Sequence, residues 1–192
     1  MPERKNIGDN AFILPEPMTV VGTMYGGKPN FMAVAWVTRC NYKPCLMAIC
    51  INKKHATSES ITANQEFSIN LASESMLEKV DAAGLISGRK LDKSSLFEVH
   101  FGELKNAPLV MEAPLSLEMR LHDKLELDTN TIFVGEVMGV WTEDQYLTDE
   151  FVDIEKVRPY TLTMPDNRYW AVGRQLGRAW HDGKAVKNQL KG

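Results

Sequence analysis

The residues best placed to bind an anion lie in the segment Asn52 to Thr57, which reads N-K-K-H-A-T. Thr57 is a favoured N-cap residue, and Glu59 would then lie in the first turn of the helix, where the helix dipole favours an acid. The free N–H groups of that turn would bind a phosphate group, with one or two cations from the preceding residues Asn52, Lys53, Lys54 and His55. The alternative is a solvated basic turn before an ordinary helix start.

Other motifs that carry chemistry are missing from the sequence. No G-x-G-x-x-G follows a strand, and neither a P-loop nor a G-x-S-x-G nucleophile elbow occurs. The four histidines show no paired spacing, so we expect no metal site. No catalytic side chain is assigned, and a bound cofactor that carries the chemistry is the natural alternative.

Composition restricts the class of protein further. The 192 residues fit a single domain, 1–192, with a loose tail at 1–10, and the net charge of −3 argues against nucleic-acid binding. The polar N-terminus and the lack of an apolar run of about 20 residues predict neither export nor a membrane helix. Three cysteines without a C-x-x-C motif fit a reducing cytoplasm.

Hydrophobic patterning predicts a mainly β protein with a few short helices. We expect strands at 18–24, 31–38, 45–51, 67–71, 115–122 and 131–141, and turns at 26–30, 42–44 and 128–130. Helices are expected from Thr57 to Asn64 and from an N-cap at Ser75, with Glu78 completing a capping box and Gly84 just past the end. The order lacks a βαβ rhythm, and so many strands predict closure into a barrel.

Three segments, in order, resemble the flavin reductase-like family of FMN-binding split barrels, and within it the flavoredoxin type. The first block combines N-F-M-A-V-A-W-V-T at 30–38 with N-K-K-H-A-T-S-E at 52–59 and E-F-S-I-N-L at 66–71. The second is G-R-K-L-D-K at 88–93, and the third is Y-W-A-V-G at 169–173, followed by G-R-A-W at 177–180 and G-K at 183–184. The resemblance implies a split barrel that binds FMN without a covalent bond.

The resemblance also implies which residues contact the flavin. The small side chains of the first block would let a flat ring lie against the strand, with Trp36 stacked on it or beside it. Lys93 would reach the phosphate or the ring. The complete predicted set is Asn30, Ala33, Val34, Ala35, Trp36, Val37, Cys50, Ile51, Asn52, Lys53, Thr57, Lys93, Tyr169 and Trp170. The alternative is that the small residues are ordinary barrel core, that Thr57 is an ordinary cap and that Lys93 is a surface lysine.

Three functions remain open at this point. The chain is an oxidoreductase that passes hydride from NADH or NADPH to FMN, a flavoredoxin-type carrier that receives electrons from a redox protein partner, or a flavin-free binding module. Many relatives carry a histidine near the position of Thr131, and the segment 128–133 has none. That departure puts the transfer of their activity to this chain in doubt.

The C-terminal segment 166–192 predicts either a lid on its own barrel or a contact in a homodimer. It looks irregular, with a short helix at its centre, and it carries Tyr169, Trp170, Leu176 and Trp180. Aromatic residues of this kind are enriched in the cores of interfaces. Split barrels of the family usually pair, so a homodimer with the flavin near the interface is expected.

Overall fold

The computed structural model of the protein describes residues 3–190. The strands are β1 (Glu16–Pro17), β2 (Thr19–Tyr25), β3 (Lys28–Val34), β4 (Val37–Asn41), β5 (Leu46–Asn52), β6 (Glu66–Leu71), β7 (Val99–His100), β8 (Leu109–Val110), β9 (Leu115–Glu126), β10 (Asn130–Thr142), β11 (Leu147–Thr148), β12 (Phe151–Val152), β13 (Tyr160–Thr163) and β14 (Arg168–Ala171). The helices are α1 (Ala56–Asn64), α2 (Leu77–Leu85), α3 (Ile154–Val157) and α4 (Lys184–Gln189), with 3-10 turns at Glu74–Met76 and Asp144–Tyr146.

A seven-stranded antiparallel sheet in the order β3-β2-β6-β9-β10-β5-β4 forms the body of the protein. Alternate side chains of its strands meet in one buried cluster that includes Val21, Phe67, Met119 and Phe133. A sheet that buries one continuous face in this way must curl around its own core. The predicted mainly β barrel is therefore confirmed.

The two edge strands of this sheet follow each other directly in the chain. The prediction of one strand over 31–38 is wrong, because the chain turns at Ala35 and Trp36 between β3 and β4. Val37 N donates to Ala35 O at 2.9 Å, a bond between residues two apart that an extended strand does not make. Cys50 N then donates to Trp36 O at 3.0 Å, which ties the turn to β5.

The β2–β3 hairpin has a shorter turn than the sequence predicts. Gly26 and Gly27 have φ values of +58° and +78°, and β3 begins immediately afterwards at Lys28. Two central residues with positive φ define a type I′ turn, whose twist matches the flanking strands. The turn therefore occupies two residues rather than the five of 26–30.

Both predicted helix starts are wrong in detail. His55, not Thr57, is the N-cap of α1, and Thr57 lies inside the first turn. Ser75 sits within the 3-10 turn before α2, and its hydroxyl pairs with that of Ser73 at 2.9 Å rather than capping a helix. Gly84 lies within α2, where a side chain would stand 3.4 Å from Ala33 Cβ. A Cβ at Gly84 would therefore make an ordinary contact with β3, and this glycine does not end the helix.

The C-terminal segment combines a regular part with an exposed part. β14 pairs with β13, and β13 pairs with β1, in a small separate sheet. From Trp170 to Leu190 every residue is exposed, and the helix α4 lies toward the end of the segment rather than at its centre. Residues 3–10 contain no helix or strand. The predicted tail and C-terminal segment also include residues 1–2 and 191–192, which lie outside the described residues.

Across residues 3–190, no helix combines the length and apolar character needed to cross a membrane.

Candidate functional site

The first turn of α1 presents unpaired hydrogen-bond donors. Within residues 3–190, neither the amide of Ala56 nor that of Thr57 donates a backbone hydrogen bond, as expected for a helix start. Thr57 Oγ1 accepts a hydrogen bond from Asn30 Nδ2 at 3.2 Å, and both side chains are buried. Because that oxygen acts here as an acceptor, the Thr57 hydroxyl proton remains available to a further acceptor.

A cavity of about 380 Å³ opens at this helix start, and we call it the α1 cavity. Its walls come from β3, the start of α1, and the end of α2 with the loop that follows. They are formed by Asn30, Met32, Ala33, Lys54, His55, Ala56, Thr57, Ala83, Gly84, Leu85, Ile86, Ser87, Gly88 and Lys93. Four of the predicted site residues, Asn30, Ala33, Thr57 and Lys93, therefore line one cavity. Its volume lies within the range of small-molecule sites.

Lys93 is the most strongly held cation of this cavity. Its Nζ donates to Phe31 O at 2.7 Å and to Ala83 O at 2.8 Å, so it joins β3 to the end of α2. Burial leaves Lys93 only 7% exposed and lowers its pKa to about 8. Partial burial, with the nearby charge of Lys93, also lowers the pKa of His55. The surface-lysine interpretation of Lys93 is wrong.

A second cavity, of about 490 Å³, lies beside the β3–β4 turn, and we call it the Trp36 cavity. Four residues of the predicted set line this cavity: Ala35, Trp36, Val37 and Cys50. Trp36 is 45% exposed, so it is not a core tryptophan. Ala33 and Ala35 lie two residues apart and line the α1 cavity and the Trp36 cavity respectively.

Some predicted site residues line neither cavity. Val34 and Ile51 point into the buried core of the barrel. Asn52 Oδ1 accepts from Lys54 N at 3.0 Å, and Lys53 Nζ lies 3.7 Å from Glu126 Oε2, so both shape the turn before α1.

Tyr169 and Trp170 lie on β14, away from the walls of both cavities. Tyr169 donates from its hydroxyl to Asp81 at 2.7 Å, and Trp170 Nε1 donates to Thr163 Oγ1 at 2.9 Å. Their predicted contact with the flavin remains a prediction.

Sequence reasoning missed the wall supplied by residues 83–88, whereas Lys54 and His55, which precede Thr57 in the predicted phosphate site, do line the cavity. Gly88 is the one member with a detectable signal, since it opens the G-R-K-L-D-K pattern. A Cβ at Gly88 would collide with Asn30 Oδ1, the side chain that bonds Thr57. The glycine is thus favoured by the close approach of the loop to Asn30.

The residues present fit a phosphate-bearing aromatic cofactor. The α1 helix start supplies free amides and a hydroxyl, Lys93 and Lys54 supply positive charge, and no acid among residues 3–190 lines the α1 cavity. The small residues after Phe31 leave room for a flat ring along the end of β3. Fold and site together define a mostly β barrel with a cavity whose lining fits such a cofactor.

Comparison with known proteins identifies the family. The family model described as "Flavin reductase like domain" matches residues 12–164. The chain therefore belongs to the flavin reductase-like family, a family of flavin-binding electron-transfer proteins. The predicted resemblance is confirmed.

Two solved flavoredoxins are close in both sequence and structure. That of Methanosarcina acetivorans is 46% identical with a TM-score of 0.95, over 96% of this chain and all of the other. That of Desulfovibrio vulgaris (Miyazaki F) is 34% identical with a TM-score of 0.87, over 94% of this chain and all of the other. An NADH-dependent FAD reductase of Streptomyces globisporus is 30% identical over 70% of this chain and 72% of its own length. The chain spans about half, 52%, of the length of a relative from Aeropyrum pernix.

The buried Lys93 makes the stability of the protein depend on pH in a defined direction. The unfolded chain holds this proton up to a pH near 10.5 and the folded chain only up to about 8. Between these values the unfolded state binds more protons, so the free energy of unfolding rises with pH. Relative to Lys93→Met, the wild type should gain up to about 1.4 kcal/mol per pH unit. Urea unfolding without added flavin, from pH 7.5 to 9.5, measures this gain.

The measurement stops at pH 9.5 because burial raises the pKa of Tyr160, and raises the pKa of Tyr169 to about 12. Above that pH the folded state holds the protons of these two tyrosines more tightly than the unfolded state does. Both groups therefore lower the free energy of unfolding as the pH rises further. Lys93→Arg, which stays charged, is the second variant, and the difference between wild type and this variant should show the same rise. A difference that stays constant from pH 7.5 to 9.5 would show that Lys93 keeps its proton in the fold.

Proposed function

We propose that this chain binds one FMN non-covalently and acts as an electron carrier of the flavoredoxin type. The proposal depends on the α1 cavity, where the start of α1 provides one site of hydrogen-bond donors of the size of a phosphate group. The sequence contains no dinucleotide-binding fingerprint. The likeness to two flavoredoxins over nearly the whole chain supports the carrier function. When bound, FMN would supply the electron-transfer chemistry.

The residues of the chain would bind and orient this cofactor. Thr57 and the free amides of the α1 start would hold the phosphate, with Lys54 and Lys93 adding positive charge. Ala33 and Ala35 would pack against the ring, and Trp36 would shield it from water. Val34 and Ile51 support this surface from the core side.

Thr57→Ala should weaken FMN binding by about 10- to 100-fold. The change removes a hydroxyl that can donate to the phosphate, and a hydrogen bond to a charged group contributes about 1.5–3 kcal/mol. Titration of flavin-free protein, followed by the quenching of FMN fluorescence, measures the affinity.

Thr57→Ser is the matched control for this experiment, because it keeps the hydroxyl and loses only a methyl group. Its affinity should stay within about threefold of wild type, a difference of less than 1 kcal/mol. If wild type and Thr57→Ala bind FMN with equal affinity, the phosphate does not bind at the start of α1.

A second candidate function is that of an FMN-dependent oxidoreductase that takes hydride from NADH or NADPH. The 30% identity to an NADH-dependent FAD reductase favours it. Anaerobic addition of NADH, and separately of NADPH, to the purified protein distinguishes the two functions. Bleaching of the flavin absorbance within seconds supports the oxidoreductase. An unchanged spectrum, with bleaching by dithionite, supports a carrier that receives electrons from a redox protein partner.

We also propose that the protein is a cytoplasmic homodimer. Leu176, Trp180 and Leu190 are at least 83% exposed, so their apolar surface has no partner among the described residues of the same chain. Exposed apolar clusters of this kind mark interaction sites. A second copy would cover them and close the flavin site from water. The three free cysteines fit a reducing cytoplasm.

A further inference from the structure

Two segments near the C-terminus carry opposite charge. Residues 143–155, which we call the acidic lobe, contain no cation and six acids: Glu143, Asp144, Asp149, Glu150, Asp153 and Glu155. Residues 173–190, which we call the basic tail, contain one acid, Asp182, and four cations: Arg174, Arg178, Lys184 and Lys187. The whole chain has a net charge of only −3, so the two segments depart from the average of the protein in opposite directions.

The acidic lobe presents two of its acids at the tip of a hairpin. Strands β11 and β12 pair with each other, and Asp149 and Glu150 form the two-residue turn between them, with φ values of +48° and +65°. Two central residues with positive φ define a type I′ turn, in which glycine is usual at the second position. The conformational preference of the turn therefore does not explain the acid at Glu150.

Most of the acidic charge of the lobe has no partner in its own chain. Asp153 accepts a hydrogen bond from Thr148 Oγ1 at 2.6 Å and caps α3. Among residues 3–190, four other acids of the lobe form neither an ion pair nor a side-chain hydrogen bond: Asp144, Asp149, Glu150 and Glu155. Apolar side chains are exposed beside these acids, on Phe151, Val152 and Ile154.

The basic tail is also without a partner. Each hydrogen bond and ion pair that it makes within residues 3–190 joins two residues of the tail itself, such as His181 Nδ1 and Asp182 Oδ1 at 2.8 Å. None of its four cations forms an ion pair with the rest of that part of the chain. Large apolar side chains are exposed between the cations, on Leu176, Trp180, Val186 and Leu190.

We infer that the acidic lobe of one copy of this chain binds the basic tail of a second copy. The inference rests on the homodimer of the proposed function and names the surfaces at which the two copies meet. A two-fold axis forms this contact twice, because each copy supplies one lobe and one tail. The apolar side chains of both segments pack at the centre of each contact, and the unpaired charges form ion pairs around them, as in other protein interfaces.

Two charge-reversal variants test this contact. The lobe variant carries Asp149→Lys and Glu150→Lys, and the tail variant carries Arg174→Glu and Arg178→Glu. In a homodimer of either variant, like charges face each other at both contacts, which opposes association. Sedimentation equilibrium at low salt, where charges are least screened, should show a dimer dissociation constant at least about tenfold above that of wild type.

An equimolar mixture of the two variants separates this contact from a loss of folding. In the mixed dimer the unchanged tail faces the unchanged lobe, and the reversed tail faces the reversed lobe, so both contacts are attractive again. The mixed dimer should form with a dissociation constant within about threefold of wild type. A misfolded variant could not produce this rescue, and neither could a contact between the lobe and the tail of the same chain.

Glu103→Lys combined with Asp128→Lys is the matched control for the lobe variant. It makes the same change of charge at two acids that are exposed, lie outside both segments and form no side-chain hydrogen bond or ion pair within residues 3–190. Its dimer should have the dissociation constant of wild type at the same salt concentration.

The inference is overturned if either variant dimerises like wild type, or if the mixture associates no better than the separate variants. Failure of the proposed homodimer looks different, because the wild-type chain itself is then monomeric at micromolar concentration and low salt, which overturns both. The FMN titration of Thr57→Ala is a separate measurement and decides the cofactor site.

Discussion

Gly88→Val is expected to lower the affinity for FMN by about 30-fold or more. Any Cβ at this position would collide with Asn30 Oδ1, so Asn30 must move and its bond to Thr57 is lost. A lost buried hydrogen bond costs about 1–3 kcal/mol, and overpacking of the cavity wall adds about 1–3 kcal/mol. The sum, at least about 2 kcal/mol, corresponds to about 30-fold or more in affinity if the cost falls on the flavin-binding conformation. Fluorescence titration of the flavin-free protein measures it.

Gly173→Ala is the control for this change, because nothing lies within 4 Å of a Cβ built there and the residue is exposed. Its affinity for FMN should equal that of wild type. Circular dichroism of Gly88→Val separates a local effect from loss of the fold, and the variant should keep the wild-type spectrum. A folded Gly88→Val protein that binds FMN normally would place the flavin outside the α1 cavity.

Removal of residues 174–192 is expected to convert a homodimer into a monomer and to weaken FMN binding at least about tenfold. The truncation keeps β14, which pairs with β13, and removes the exposed apolar side chains of Leu176, Trp180, Val186 and Leu190. Loss of the second subunit would open the flavin site to water. Light scattering should give about twice 21.6 kDa for the full chain and a single-chain mass for the truncated one.

A milder variant keeps this experiment interpretable if the truncated chain is unstable. Trp180→Ala removes a large hydrophobic side chain that is 96% exposed, without shortening the chain. It should raise the dimer dissociation constant by at least about tenfold, as expected for an aromatic residue at the centre of an interface. A full chain that is monomeric at micromolar concentration and still holds FMN would refute the shared site.

The strands of the barrel could be predicted because their pattern is local. Leu117, Met119 and Leu121 alternate with polar residues, and this period of two is enough to place β9 with one face on the core. The break at Ala35 and Trp36 could not be predicted in this way. It depends on the meeting of the two edge strands, β3 and β4, and on the bond from Cys50 N to Trp36 O, which no local pattern encodes.

Residues of the candidate site could be predicted where one short segment of the chain supplies several of them. They could not be predicted where segments that are distant in the sequence meet in the fold. Thr57 was predicted as an anion contact from its helix start, and it lines the α1 cavity although His55 is the N-cap. Asn30 gains its position through a hydrogen bond to a residue 27 positions away, and Lys93 through a carbonyl 62 positions away. The wall at 83–88 is set by the packing of α2 on β3, a tertiary contact that propensity and periodicity do not report.

Identification of the flavin that the purified protein carries tests the account most directly. Heat or acid should release a yellow compound without proteolysis, and its mass should be that of FMN, in a ratio of one per chain. Protein prepared without flavin should regain the absorbance bands of bound flavin when FMN is added. A protein that neither carries nor takes up FMN, or that retains a covalently attached flavin, would contradict the account.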